Sequence, residues 1–480
     1  MLTTLLIVLP LVGALVVWAG PLPREATAAL AVLVALSEVA LWIVSLVRFD
    51  FGSPALQEAT QRAWFGDLGV SYHVGFYGFS LWLAGLTVVV GAAAIGFGAW
   101  AGRDRARAYY GLMLFLIGAV VGVFASQDLL VFYVFFEAML IPIYVLVGVW
   151  GGPGRIAATL TFVIYTMAGS LLMLAAIVVF GISKGTFSLI ESGTSGNDWV
   201  FLGFIVAFAV KAPLLPFHGW LRTAYTEAPP EVAALLSGVV SKAAVFGLVW
   251  IVLPHFPGPV EDWRTVVLVL AAAGLVYGAL LAFRQPDIRG VIAYSSMSQM
   301  SLIVLGIFAV NDLGLDGAIL HSVSHGLVSA AMFLLAGMLL QRTGTDRFAD
   351  LGGLAKGRPA FATLVMVVGM LTLAVPGSAN FAGEFAILAG VFERGWGYAA
   401  VGAAAIVLAA MYTLRLISGI LHRDRGESVR VESLDLRFAE FALVVPLVVI
   451  LLALSVWPAA ISERSFPADR PAAALAEGAR

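Results

Sequence analysis

No cysteine occurs among the 480 residues. Its absence excludes disulfides, thiolate-held zinc or iron–sulfur clusters and thiol chemistry on this chain. Charge is also scarce: Asp, Glu, Lys and Arg fill 12% of positions, against roughly 25% in a soluble domain. A net charge of −2 provides no basic surface for nucleic acid. Glycine is plentiful, yet no strand–GxGxxG–helix context appears. Gly151-Gly152-Pro153-Gly154 falls in a short loop between apolar runs, so no nucleotide site is readable.

What fills the chain is apolar side chains, 61% of it, at a mean hydropathy of +0.99. They come in long runs such as Leu2 to Ala19, Ala26 to Leu46 and Thr265 to Phe283. Each is close to the ~20 residues a helix needs to cross a bilayer. Lipid cannot satisfy free backbone groups, and the runs lack the alternation of barrel strands, so helices are expected. The first run has neither a basic n-region nor a clear small-residue cleavage site and reads as a retained helix.

Reading the runs against Pro, Gly and charge clusters predicts an all-α polytopic membrane protein with fourteen spans. They lie near 2–19, 26–47, 76–100, 109–126, 129–150, 156–182, 199–221, 231–254, 265–283, 290–309, 315–341, 360–393 (interrupted), 396–421 and 438–458. Loops after odd-numbered spans hold sixteen Lys and Arg. Loops after even-numbered spans hold five: Arg48, Arg62, Lys184, Arg264 and Arg394. The positive-inside rule then puts both termini on the outer side of the membrane.

Three basic residues fall inside spans: Lys211, Lys242 and Arg415. A charge at a helix centre costs ~2.5–3.5 kcal/mol even on the lenient insertion scale, so such ions face a cavity or a partner. Lys211 and Lys242 lie roughly 16–18 Å into their spans, and Glu137 of span 5 roughly 12 Å. Desolvation disfavours a charged amine and a nearby carboxylate opposes that. At an assumed ~7 Å and an effective dielectric of ~20, the opposition is about 2.4 kcal/mol. Moving Glu137 relative to Lys211 would thus switch the lysine between holding and releasing a proton. A static pair that fixes packing is the plainer reading, and it leaves the second lysine unexplained.

His321 and His325 in span 11 are spaced i, i+4 and share a helix face. Imidazoles titrate near neutral pH and suit a relay beyond Lys242. Structural hydrogen bonding or metal ligation are the alternatives, although no carboxylate or thiol evidently completes a metal shell. His218 is expected nearer the cytoplasm, at a proton uptake route or as helix-end packing. Arg415 can snorkel and is assigned structure. Glu38 of span 2 is unexplained, and an anchoring contact with another subunit is as good an account as any.

Two spans carry breaks. Span 7 runs Lys211-Ala212-Pro213-Leu214-Leu215-Pro216 and span 12 runs Val375-Pro376-Gly377-Ser378, with Glu384 just beyond. Breaks beside ions, five spans apart, predict two inverted five-helix repeats, spans 4–8 and 9–13. The implied division is 1–108 (helices 1–3), 109–255 (first repeat), 256–422 (second repeat) and 423–480 (helix 14 and tail).

These motifs resemble the antiporter-like proton-channel subunits of respiratory complex I, the proton-translocating NADH dehydrogenase family, over nearly the whole chain from span 3 to span 13. The segments are Phe135-Phe136-Glu137-Ala138-Met139-Leu140-Ile141-Pro142, Lys211 through His218-Gly219-Trp220-Leu221, and Thr226-Glu227-Ala228-Pro229. To these add Ala293-Tyr294-Ser295-Ser296, His325-Gly326-Leu327 and Pro376 through Phe385. The resemblance implies proton transfer through Glu137, Lys211, Lys242 and Glu384. Glutamate at 384 is similar to the M-type chains, the L and N types having lysine. It also implies neighbouring L- and N-type membrane subunits, and FMN, iron–sulfur clusters, NADH and quinone on partner subunits, with no cofactor here. Mrp-type cation/proton antiporters and membrane-bound hydrogenases share the motifs. The chain departs from the usual pattern at Thr223, Tyr225 and Gln299, where the family tends to have acidic, imidazole and imidazole groups.

Overall fold

The computed structural model describes residues 1–429 and 435–466. Arg430, counted in the charge bias above, lies outside these. Helices α1 (Leu2–Ala19) and α2 (Arg24–Arg48) lead to a two-stranded antiparallel hairpin, β1 (Gln57–Phe65) and β2 (Val70–Phe76). Next come α3 (Gly78–Ala101), α4 (Ala106–Ala125), α5 (Leu129–Ala138), α6 (Leu140–Trp150) and α7 (Arg155–Lys184). The middle of the chain forms α8 (Asp198–Lys211), α9 (Leu221–Glu227), α10 (Pro230–His255) and α11 (Pro257–Arg284). Then follow α12 (Ile288–Ala309), α13 (Asp312–Thr343), α14 (Pro359–Thr372), α15 (Ala379–Phe392), α16 (Trp396–Leu421), α17 (Phe438–Val456) and the short α18 (Ala459–Ser465).

Among the described residues, twelve helices are long and apolar enough to cross a membrane. Burial separates them into a core and a rim. Every residue in the apolar window of α10 is buried, and 94% of those in α12 and α13, against 28% in α2 and 33% in α17. A helix apolar all round belongs in an interior, and one with an apolar outer face belongs against lipid or a partner.

The hairpin was not foreseen. It turns through Gly66–Leu68 into Gly69, whose φ of +67° suits glycine. It is pinned by Thr3, which donates to Glu58 O at 3.0 Å, and by Asp128, which accepts from Ser71 N at 3.1 Å while capping α5. A second departure is α11, which starts at Pro257, eight residues before the predicted span. Proline suits a first helical turn, and Glu261, Asp262 and Arg264 occupy its end.

On the opposite side of the bundle, polar contacts tie the halves together. Arg222 donates to Gln285 Oε1 and Asp287 Oδ2, both at 2.7 Å, and Arg289 pairs with Asp346 at 2.6 Å. Arg103 makes a two-pronged pair with the buried Glu231 (2.6 and 2.8 Å), which Tyr109 joins at 2.5 Å. Asp435 caps α14 from a distance, accepting from Ala360 N and Phe361 N at 2.8 and 2.9 Å. Burial pushes that carboxyl up, but these donors, the Leu436 N–H and the nearby Arg342 outweigh it and hold it below the ordinary carboxylate range.

Candidate functional site: a buried polar line

Glu137, Lys211 and Lys242 sit at interruptions of helical backbone, and Glu384 lies shortly beyond one, whereas His321 and His325 lie within the continuous helix α13. Glu137 closes α5. Pro142, which cannot donate to Ala138 O, explains the break at Met139. Lys211 is the last residue of α8, and Pro213 and Pro216 follow. The Trp220 indole donates to Val210 O at 3.0 Å, so a side chain from beyond the break satisfies a helix-end carbonyl. The second break is closed in the same way: Asn380 Nδ2 donates to Leu371 O at 2.9 Å, and Ser378 caps α15 through Phe381 N at 3.2 Å. Glu384 is the sixth residue of α15 and is buried.

Lys242 lies within α10 between two π-helical turns, Leu236–Val240 and Leu248–Val252. In the first, Ser241 N reaches back five residues to Leu236 O at 3.3 Å. The Ser237 carbonyl accepts from Lys242 Nζ and from Ser241 Oγ, both at 2.9 Å. Turns of this kind are frequent at functional sites.

From Lys242 a line of polar groups crosses the core. Ser237 Oγ donates to Ser296 Oγ at 2.9 Å and lies 2.6 Å from Ser329 Oγ. Ser296 Oγ is 3.2 Å from His325 Nε2. His325 and His321 stack with ring centroids 6.0 Å apart, so the shared face expected from their spacing is realised. His321 Nε2 is 2.8 Å from Gln299 Oε1, and Gln299 Nε2 donates to Glu384 Oε1 at 3.2 Å. Four helices, α10, α12, α13 and α15, each supply part of this line. A cavity of about 20 Å³ lies alongside, lined by Ser295, Gln299, His325, Asn380 and Tyr412 among others, enough for about one water.

Glu137 and Lys211 stand apart from that line. No ion pair joins them. The Lys211 ammonium lies 4.7 Å from the centre of the Phe136 ring and makes no hydrogen bond. Glu137 is only half-buried, on a helix that exposes Val134. His218 lies past the α8 break with its ring edge-on to Tyr277 at 5.4 Å, and no hydrogen bond links it to Lys211. Arg415 donates to the carbonyls of Phe283 and Gln285, closing the end of α11.

Glu38 requires correction. It is 1% exposed and neither carboxyl oxygen has a partner, so it is not available to anchor another subunit. Tyr225, one of the departures from the family pattern, is fully buried with its hydroxyl beside Ser237. Thr223 donates to Trp220 O at 3.1 Å. Sequence reasoning missed the connecting serines. Their signal was present, as Ser237 and Ser241 are spaced i, i+4 immediately before Lys242, and hydroxyls on wholly buried helices need inward partners.

A family model for the transmembrane region of NADH:quinone oxidoreductase and Mrp antiporter subunits matches residues 126–411. The chain is 35% identical over 443 residues to NADH-quinone oxidoreductase subunit M of Rhodobacter capsulatus, covering 88% of this chain and 85% of that one. It superposes on a chain of respiratory complex I from Thermus thermophilus with a TM-score of 0.91, 31% identity and full coverage of both. A chain of the Mrp complex from Dietzia, at 22% identity and a TM-score of 0.86 over 99% of this chain and 96% of that one, shares the fold. This chain therefore belongs to the NADH:quinone oxidoreductase/Mrp antiporter family of membrane subunits, on the NADH-quinone oxidoreductase subunit M branch.

Proposed function

We propose that the chain is the proton-translocating M-type subunit of a bacterial NADH–quinone oxidoreductase. It passes protons across the plasma membrane while partner subunits carry electrons from NADH to quinone. The observation that carries this reading is the polar line from Lys242 to Glu384 through the most buried helices of the bundle. Nothing in packing alone calls for so many neighbouring donors and acceptors in an apolar interior. Lys211 is the switch, Glu137 its modulator, Lys242 with His325 and His321 the relay, and Glu384 the terminal group. His218, beyond the α8 break, belongs to the uptake side. The redox groups, FMN and iron–sulfur clusters, reside on partners, and L- and N-type subunits are the membrane neighbours.

Counting α5 with α6, α8 with α9, and α14 with α15, as one crossing each, and leaving out the short α18, makes fourteen spans. The like closure of the two breaks, Trp220 to Val210 O and Asn380 to Leu371 O, supports the two inverted repeats, 109–255 and 256–422. The charge bias supports both termini facing outward.

Replacing Lys211 by Ala in the assembled complex tests the role of the switch. NADH-driven proton uptake into vesicles is expected to fall to a small residue of the wild-type rate, with flavin content unchanged. A variant that pumps as well as wild type would remove Lys211 from the mechanism. A colourless wild-type assembly catalysing Na⁺/H⁺ exchange would move the chain to the Mrp-type reading.

A further inference from the structure

α2 and α17 both expose apolar faces, and a cleft between them reaches an apolar cavity of about 110 Å³. Its floor is Leu86 and Val89 of α3 with Val323 and Leu327 of α13, and Trp42 and Leu454 form its walls. So apolar a cavity does not hold water. Val323 and Leu327 belong to the helix that carries His321 and His325, so whatever fills the cavity rests against the relay helix.

At the membrane-surface end of the cleft lies a second pocket, walled by Phe51, Ser53, Tyr77 and Arg464. The two adjoin at the Phe51–Trp82 stack (centroids 5.8 Å apart, 17°), Phe51 lining this pocket and Trp82 the apolar cavity. The Arg464 guanidinium lies 4.7 Å from the Trp457 ring centre and 5.4 Å from that of Phe51. Among the described residues it makes no ion pair. Glu463, next to it on α18, lies instead near Asp316. The position of Arg464 is fixed by packing, since its carbonyl sits where a side chain at Gly78 would be.

We propose that this cleft binds one anionic phospholipid, its phosphate on Arg464 between the aromatic rings and an acyl chain in the cavity against α13. A cation at the interface over an apolar slot complements an anionic headgroup over a hydrocarbon tail. Arginine suits phosphate because its donors fan out in a plane, and tryptophan favours the headgroup level.

The test uses the purified assembly equilibrated with deuterated phosphatidylglycerol, washed in detergent and assayed for retained lipid by mass spectrometry. Wild type is expected to retain phosphatidylglycerol in preference to phosphatidylcholine. Arg464→Gln should lose about tenfold of that preference, as expected for one phosphate contact. Val89→Phe, which fills the cavity and leaves the charge, should lower retention of both lipids. Equal retention by wild type and Arg464→Gln would overturn the headgroup site, and undiminished retention by Val89→Phe would overturn the acyl slot. A density map showing the cleft filled by a helix of another subunit, or by residues 467–480, would overturn both.

Discussion

At the scale of single residues, buried charge does two kinds of work here, and the surroundings tell them apart. Glu231 is fully paired with Arg103 and Tyr109, a fixed arrangement with no free acceptor to hand a proton onward. Lys242 and Glu384 are bound by neutral carbonyl, hydroxyl and amide groups and stand in series with others. Arg103→Ala is therefore expected to act through stability: it strands a buried carboxylate and should cost about 3–5 kcal/mol. Arg103→Met combined with Glu231→Met should recover much of that loss. Thermal unfolding of the purified assembly checks both, and a double variant no better than the single one would contradict the assignment. Sequence alone identified Lys211, Lys242 and Glu384, because a charge within an apolar run is conspicuous. It could not identify Gln299 or Ser296 as connectors, because a polar neutral residue in a helix signals nothing until its facing helix is known.

At the scale of elements, Glu137, Lys211 and Lys242 adjoin backbone that departs from the α-helix, while His321 and His325 sit in the unbroken helix α13. The two proline-rich breaks were legible because proline removes a donor and forces the turn. The break at Met139 was concealed within an apolar run, with only Pro142 to mark it. The π turns flanking Lys242 carry no comparable signature in the residues that form them, Leu236–Val240 and Leu248–Val252. Glu38 shows the same limit, for its helix is rim-like on one side while its carboxyl points inward. The hairpin was missed because its strands are short, mixed in polarity and set between long helices that dominate the pattern. Helix α14 yields a pH test. Asp435 is held below the ordinary carboxylate range, so its capping contribution is complete above about pH 4, the unfolded value. It is lost as pH falls through the depressed folded value. Asp435→Ala should reduce hydrogen-exchange protection around Phe361 at pH 7, by about 1 kcal/mol for a lost cap. The difference from wild type should shrink as the pH is lowered past that window. A gap that stays constant down to pH 3 would mean the carboxylate is not the cap.

At the scale of the whole molecule, composition settled the class early. Long apolar runs and scarce charge leave few options besides a helical bundle in lipid, and the absence of cysteine excludes disulfides and thiolate-held clusters on this chain. The order of helices and the location of the breaks followed from the same runs, whereas the line linking Lys242 to Glu384 exists only once four helices are packed side by side. The most direct test of that line is the number of protons moved per NADH oxidised. It should be measured in proteoliposomes carrying the assembled complex, comparing wild type with Lys242→Ala at matched flavin and iron–sulfur content. The account predicts that proton movement falls steeply in the variant and that the proton-to-NADH ratio drops below wild type. An unchanged ratio at an unchanged rate would contradict it and leave the polar line as packing.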